Sequence, residues 1–241
     1  MLVAAAIAPH GELDGAEATR AAMEEIGRRV ADAEPAALVV VTPHNVHVED
    51  HFAVVTAARL GEAPVDRELA LAIVVAARAD GLPAVAVSFG GNDPAEAEMP
   101  IDWGTEVPLA FLPRVPVVVV SPARDRPLAE HVRLGAAIAR AAAERAIAVV
   151  ASADHGHAHS SDGPYGYDAA AAEYDDRVVE AVRANRLGEL LAVSELAVRA
   201  RADSLWQLLV LHGALGDGWR AELLSYEAPD YYGMLCAVFS R

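Results

Sequence analysis

The chain predicts an α/β fold: one domain over residues 1–241, with a mixed, mostly parallel central sheet covered by helices on both faces. Three observations predict it. Short unbroken apolar runs, such as Ala36 to Val41 and Ala146 to Ala151, suit strands buried on both faces. These runs alternate with longer amphipathic segments from end to end. No linker-like stretch or internal repeat divides them.

Taken in order, Met1 to Ala8 is an apolar run that opens into Pro9-His10-Gly11, a strand ending in a loop. Ala16 to Ala33 carries charges on one face and Ala, Met, Ile and Val on the other, the pattern of a helix. Ala36 to Val41 is the next strand, closed by Thr42-Pro43-His44-Asn45, and Phe52 to Thr56 is a short third one. Val65 to Asp80 reads as a helix stopped by Gly81-Leu82-Pro83. Ala84 to Phe89 is a strand, followed by a long Gly/Asn/Asp/Pro loop. A helix from Trp103 to Leu112 ends at Pro113, and Val117 to Val120 is strand-like up to Ser121-Pro122. The alanine-rich segment Leu128 to Arg145 is helical, and Ala146 to Ala151 is a strand running into Ser152-Ala153-Asp154-His155-Gly156-His157. Helices over Ala169 to Asn185 and Ala202 to Leu215 precede two terminal strands, Ala221 to Tyr226 and Met234 to Phe239.

A hydrophobic content of 54% supplies a sizeable core. The formal net charge of −16 argues against nucleic acid and anionic membrane surfaces, which need clustered Lys and Arg. The single cysteine, Cys236, allows no intrachain disulfide and no thiolate cage, which suits a reducing cytoplasm. Met1 to Pro9 lacks the basic start of a signal peptide, and no apolar run reaches the roughly 18 to 20 residues of a spanning helix. The expectation is a cytoplasmic protein.

Three apolar strands each lead into a histidine: His10, His44 and His157. In open α/β sheets ligands bind beyond the carboxyl ends of strands, so these side chains are expected to meet in one crevice. Imidazole serves as both metal ligand and general base. In the run His155-Gly156-His157-Ala158-His159, at most one or two rings can point inward, and His155 and His159 are secondary candidates. His47, His51 and His131 read as surface residues, and His212 as core or interface. Two histidines on a metal call for a hard third ligand, and two imidazoles with one carboxylate are typical of non-haem Fe(II) oxygenases. Asp203 is the candidate, with Glu12, Glu106 and Glu195 as competitors; an aspartate near a helix start equally serves as a cap. Trp103 and Tyr165 are candidate walls of an aromatic pocket.

Five segments, in order, resemble one family. They are Ala8-Pro9-His10, Thr42-Pro43-His44, Ile101 to Leu109 (IDWGTEVPL), Ser152 to His157 with Gly163-Pro164-Tyr165-Gly166-Tyr167, and Leu208 to Leu215 with Glu222 to Glu227. Together they are similar to the catalytic-subunit, LigB-like family of class III extradiol ring-cleavage dioxygenases. The resemblance implies a mixed-sheet α/β fold and a mononuclear Fe(II) site using a catechol-like or aminophenol-like aromatic and O2. It also implies His10 and His44 as ligands, Asp203 as the carboxylate ligand, His157 as acid/base, and Asp154 as the residue orienting His157 or its loop. Relatives commonly associate, so a homo-oligomer is expected. The sequence departs from the family at Trp103, where a histidine is frequent, and at Asp203, where glutamate is usual. The related Memo-like branch shares the fold and histidines without an assured ring-cleaving activity, so a metal-binding or interaction protein is the first alternative. A zinc-dependent hydrolase is the second, and the absence of a Gly-x-Ser-x-Gly elbow argues against a metal-free esterase.

Overall fold

The apolar runs Leu2 to Ala8, Ala37 to Val41, Val117 to Val120 and Ile147 to Ala151 form strands in the computed structural model, which describes residues 1–90 and 92–241. Gly91, in the loop expected after Phe89, lies outside the described residues. In chain order the first elements are β1 (Leu2–Ala8), α1 (Glu17–Asp32), β2 (Ala37–Val41), β3 (Phe52–Val55), β4 (Arg59–Leu60), β5 (Ala63–Pro64) and α2 (Arg67–Ala79). Then come β6 (Ala84–Val87), β7 (Glu98–Met99), α3 (Trp103–Leu109), β8 (Val117–Ser121), α4 (Leu128–Ala141) and β9 (Ile147–Ser152). The chain closes with α5 (Ala170–Arg183), a 3-10 helix (Leu187–Ala192), α6 (Ser194–Arg199), α7 (Leu205–Leu215), β10 (Arg220–Glu227) and β11 (Met234–Ser240).

Eight strands form one mixed sheet in the order β10-β11-β1-β9-β2-β8-β3-β6. Its centre, β1, β9, β2 and β8, is parallel. Antiparallel pairings at β11–β1 and β3–β8 reverse the direction on either side. Alternate residues of the central strands face two cores. Val39, Val41, Val118, Val120 and Val149 pack with α2, α4, α5 and α7, while Leu38, Val40, Val119 and Val150 pack with Met23, Ile26 and Val30 of α1. Burial on both faces explains why these strands read as unbroken apolar runs rather than alternating ones.

Helix α7 is apolar nearly all round because it lies between the sheet and α4. Gly135 of α4 and Gly213 of α7 lie at this crossing: a Cβ on either would collide with the facing backbone carbonyl, of Val210 or Val132. That close approach fixes where the chain just before α7, which carries Asp203, meets the sheet. His131, expected at the surface, is fully buried. It shares the inward face of α4 with Leu134, Gly135 and Ile138, so the three-to-four spacing of these positions prevails over its polar neighbours. The short β5-β4-β7 sheet, the 3-10 helix and α6 are additions to the expected elements, and α4 ends at Ala141 rather than Arg145.

Candidate metal centre and aromatic cleft

Because β1, β2 and β9 are parallel and adjacent, their carboxyl ends open on the same edge of the sheet. His10 follows β1 by two residues, His44 follows β2 by three, and Asp154 to His157 follow β9. Asp203 arrives from the turn between α6 and α7.

The His10 and His44 Nε2 atoms face each other at 3.2 Å. Asp203 Oδ2 stands 3.5 Å from His10 Nε2, 3.9 Å from His44 Nε2 and 4.0 Å from His157 Nε2. Asp154 Oδ2 lies 3.4 Å from His10 Nε2, and its other oxygen accepts the His10 backbone N–H at 3.1 Å. The donor atoms of His10, His44 and Asp203 all lie within 4.8 Å of one another and could hold a metal ion.

Hydrogen bonds fix which nitrogens point at this centre. Ser152 has one hydroxyl proton and donates it to the Gly104 carbonyl. It therefore accepts from His10 Nδ1–H at 2.9 Å, which leaves His10 Nε2 as the atom that takes up or gives up a cation. His157 Nδ1–H likewise donates to the His155 carbonyl at 2.8 Å, so its Nε2 lone pair is free. Burial alone pulls the His10 imidazolium down, but the Asp154 and Asp203 carboxylates outweigh it and hold the group up at about 9. Burial and the neighbouring His10 lower His44. Burial pushes the Asp203 carboxyl up, but the charge of His10 and its hydrogen bond override this and hold it low. Asp203 Oδ1 is buried with no partner among the described residues. Two facing imidazole nitrogens and an unpartnered carboxylate oxygen form a donor set that a cation satisfies, so these residues fit a metal ion.

The cleft beside this centre has a volume of about 670 Å³. Trp103 and Tyr165 line it, and they are 56% and 58% exposed, so each presents an aromatic face to the opening. Trp103 also packs on the His44 ring, centroids 4.5 Å apart. Gly104 explains part of the IDWGTEVPL segment. A Cβ there would strike Thr42 and the His44 ring, so only glycine lets His44 reach its place.

The other candidates divide between the cleft and its surroundings. Asp154 contacts His10 and not His157, because the extended exit from β9 aims it back across β1. His155 and His159 do not line the cleft. His155 is fully buried and bonds Ser204 Oγ at 3.0 Å, while His159 bonds Asp175 Oδ2 at 2.8 Å. Glu106 and Glu195 lie outside the donor cluster, and Glu12 is at the cleft rim. Sequence reasoning missed Ser152, Tyr231 and Tyr232. The Tyr232 ring stacks on His157 at 5.7 Å, with the Tyr231 ring at 6.1 Å and Tyr165 edge-on at 6.0 Å. Two adjacent tyrosines between Pro229-Asp230 and Gly233, a turn between two strands, were the available signal.

Residues 4–237 match the family model described as the catalytic LigB subunit of aromatic ring-opening dioxygenase. The chain belongs to the LigB family. Its dioxygenases are metal-dependent, in keeping with the donor cluster. Protein CA_C1420 of Clostridium acetobutylicum is 24% identical over 238 residues, covering 90% of this chain; the chain spans about half (51%) of that relative's length. The crystal structure of uncharacterized protein JW3007 from Escherichia coli superposes with a TM-score of 0.67 at 17% identity. That likeness covers 98% of this chain and 99% of the other, and it shows that the two share a fold. No helix among the described residues is long and apolar enough to cross a membrane.

Proposed function

We propose that this LigB protein is a non-haem Fe(II)-dependent extradiol dioxygenase, with residues 1–241 acting as one ring-cleavage domain on a catechol-like or aminophenol-like aromatic and O2. The observation that carries the reading is the convergence of His10, His44 and Asp203 on one point, with His157 Nε2 facing the same Asp203 oxygen from the cleft side. Held by those three donors, Fe(II) would supply a Lewis acid that acidifies the bound phenol and open positions for substrate and dioxygen.

The remaining work belongs to the chain's own groups. His157 Nε2 is an unoccupied base, aimed by the His155 carbonyl, and accepts a ring hydroxyl proton and later returns it. Tyr232 against one face of His157 and Tyr165 at its edge restrict the ring's swing. Trp103 and Tyr165 bracket the aromatic ring of the substrate. Asp154 accepts the His10 backbone N–H and Ser152 its Nδ1–H, so the His10 ring is aimed from two directions.

The test is metal analysis of anaerobically purified protein, wild type and His10→Ala, with oxygen uptake on a panel of catechols and aminophenols. Near-stoichiometric iron that is lost in the variant, with uptake by the wild type alone, is the expected result. Zinc without oxygen uptake would replace this reading with a hydrolase, and no metal at all with a Memo-like interaction protein.

A further inference from the structure

An aspartate has one methylene between backbone and carboxylate, so its oxygens go where its main chain goes. Asp203 depends on its main chain more than most. Its Oδ1 has no partner among the described residues, and Oδ2 meets the imidazole nitrogens of His10, His44 and His157. The carboxylate is therefore placed by whatever places the turn before α7 and the first turn of that helix. The buried apolar side chains of α7, among them Leu205, Leu208, Leu209 and Leu211, hold it against its neighbours without directional bonds.

Directional bonds to the exit of β9 supply what the apolar contacts lack. Ahead of Asp203, the Ala200 carbonyl accepts the backbone N–H of His157 at 2.8 Å. Directly after it, Ser204 Oγ bonds His155 Nδ1 at 3.0 Å and the Tyr174 hydroxyl of α5 at 2.9 Å. One turn further on, Gln207 Nε2 donates to the Ser152 carbonyl at 3.2 Å. Ser204, Gln207, His155 and Tyr174 are all fully buried, where losing a hydrogen bond is costly. Between Ala200 and Ser204 the chain has little slack. Arg201 takes a φ of 55°, and the Ala202 N–H returns to the Ala197 carbonyl at 2.9 Å, which ends α6 abruptly. Ser152 serves both arms of the centre: its hydroxyl accepts from His10 Nδ1–H, and its carbonyl holds the helix that follows Asp203.

We propose that Ser204 and Gln207 are positioning residues of the metal centre: by tying the first turn of α7 to His155 and Ser152, they set where the Asp203 carboxylate meets His10 and His44. His155 gains a role by the same bonds. Its ring holds Ser204, beside the carboxylate, and its carbonyl aims His157, so the ligand and the base are referred to one buried residue. The inference rests on Asp203 as a metal ligand and not on the reaction that the metal supports.

The test reads the metal directly. Co(II) is titrated into metal-free protein and followed by its visible absorption and by competition with a chelator. Asp203→Ala should bind it far more weakly than wild type, as expected of a lost ligand. Ser204→Ala and Gln207→Met should each weaken binding by about tenfold and shift the Co(II) bands, because the carboxylate is displaced and not removed. Tyr174→Phe leaves the Ser204–His155 bond in place and should have less effect. Ile73→Val loosens a fully buried packing position in α2 and should keep both affinity and bands. Circular dichroism confirms that each variant is folded, and if one of Ser204→Ala and Gln207→Met is not, the other decides. Wild-type affinity and bands in these two, beside a weakened Asp203→Ala, would overturn the positioning role and leave the metal centre standing. An equal loss in Ile73→Val would also overturn it, since any loss of stability would then suffice. If Asp203→Ala binds Co(II) as wild type does, Asp203 is no ligand and both readings fall.

Discussion

At the scale of single residues, the candidate site depends on small side chains that aim larger ones. Ser152, by donating to Gly104, compels His10 to present Nε2 to the centre, and the missing side chain of Gly104 makes room for His44. Gly104→Ala should therefore leave the fold intact and weaken metal binding by about 10- to 100-fold, measured by competition with a chelator. An unchanged affinity would mean that His44 has other freedom to reach its place. His157 lies outside the donor cluster, so His157→Ala should keep metal while turnover falls by about 10² to 10⁴. Full activity in that variant would end its acid/base role. His10, His44 and His157 were legible as candidates because each lies just beyond a short apolar run bounded by a loop signal. The partners of Asp154 and His155 were not, since a loop has no period from which to read direction.

At the scale of elements, Asp175 of α5 ties together the segments that wall the cleft. One oxygen accepts Gly156 N–H at 2.7 Å, and the other is bonded by Tyr226 O–H at 2.7 Å and His159 at 2.8 Å. The backbone N–H of His159 in turn reaches the Tyr231 carbonyl at 3.1 Å. The loop carrying His157 and the β10–β11 turn are thus held to one buried carboxylate. Gly233 packs so closely on it that a Cβ there would strike the Asp175 carboxylate. Asn at this position keeps the volume but must turn an N–H donor towards one of its partners. Asp175→Asn is expected to cost about 1–3 kcal/mol in chemical denaturation. It should also lower turnover more than metal content, because it loosens the walls and not the ligands. A variant as stable as wild type would show that the clamp carries no strain-bearing role. His159, a secondary site candidate in the histidine run, is a member of this clamp. Sequence periodicity found the helix bearing Asp175 but gave no means of matching it to a loop.

At the scale of the whole molecule, the unbroken valine runs made the parallel centre of the sheet readable, and alternation along the chain did the rest. The small β5-β4-β7 sheet was not readable, because strands of two residues have no period. His131 marks where polarity misled and where the core has a measurable consequence. Its Nδ1–H reaches the Pro127 carbonyl at 3.2 Å, its Nε2 has no partner among the described residues, and its ring meets Phe52 edge-on at 5.0 Å. Burial therefore pushes it down to about 4, from the ordinary 6.5 that it regains on unfolding. Between those two values the unfolded chain binds a proton that the folded chain refuses, so stability rises with pH across the window and is lost as pH falls from 6.5 towards 4. The full difference is on the order of 3 kcal/mol, about 1.4 for each pH unit. Other groups titrate in the same range, so the comparison that isolates this one is wild type against His131→Leu, by denaturant unfolding at several pH values. The stability gap between the two should be constant above pH 6.5 and shift in favour of the leucine variant as pH falls towards 4. A gap that does not change with pH would show that His131 gains a proton in the fold as readily as outside it, and that water reaches Nε2.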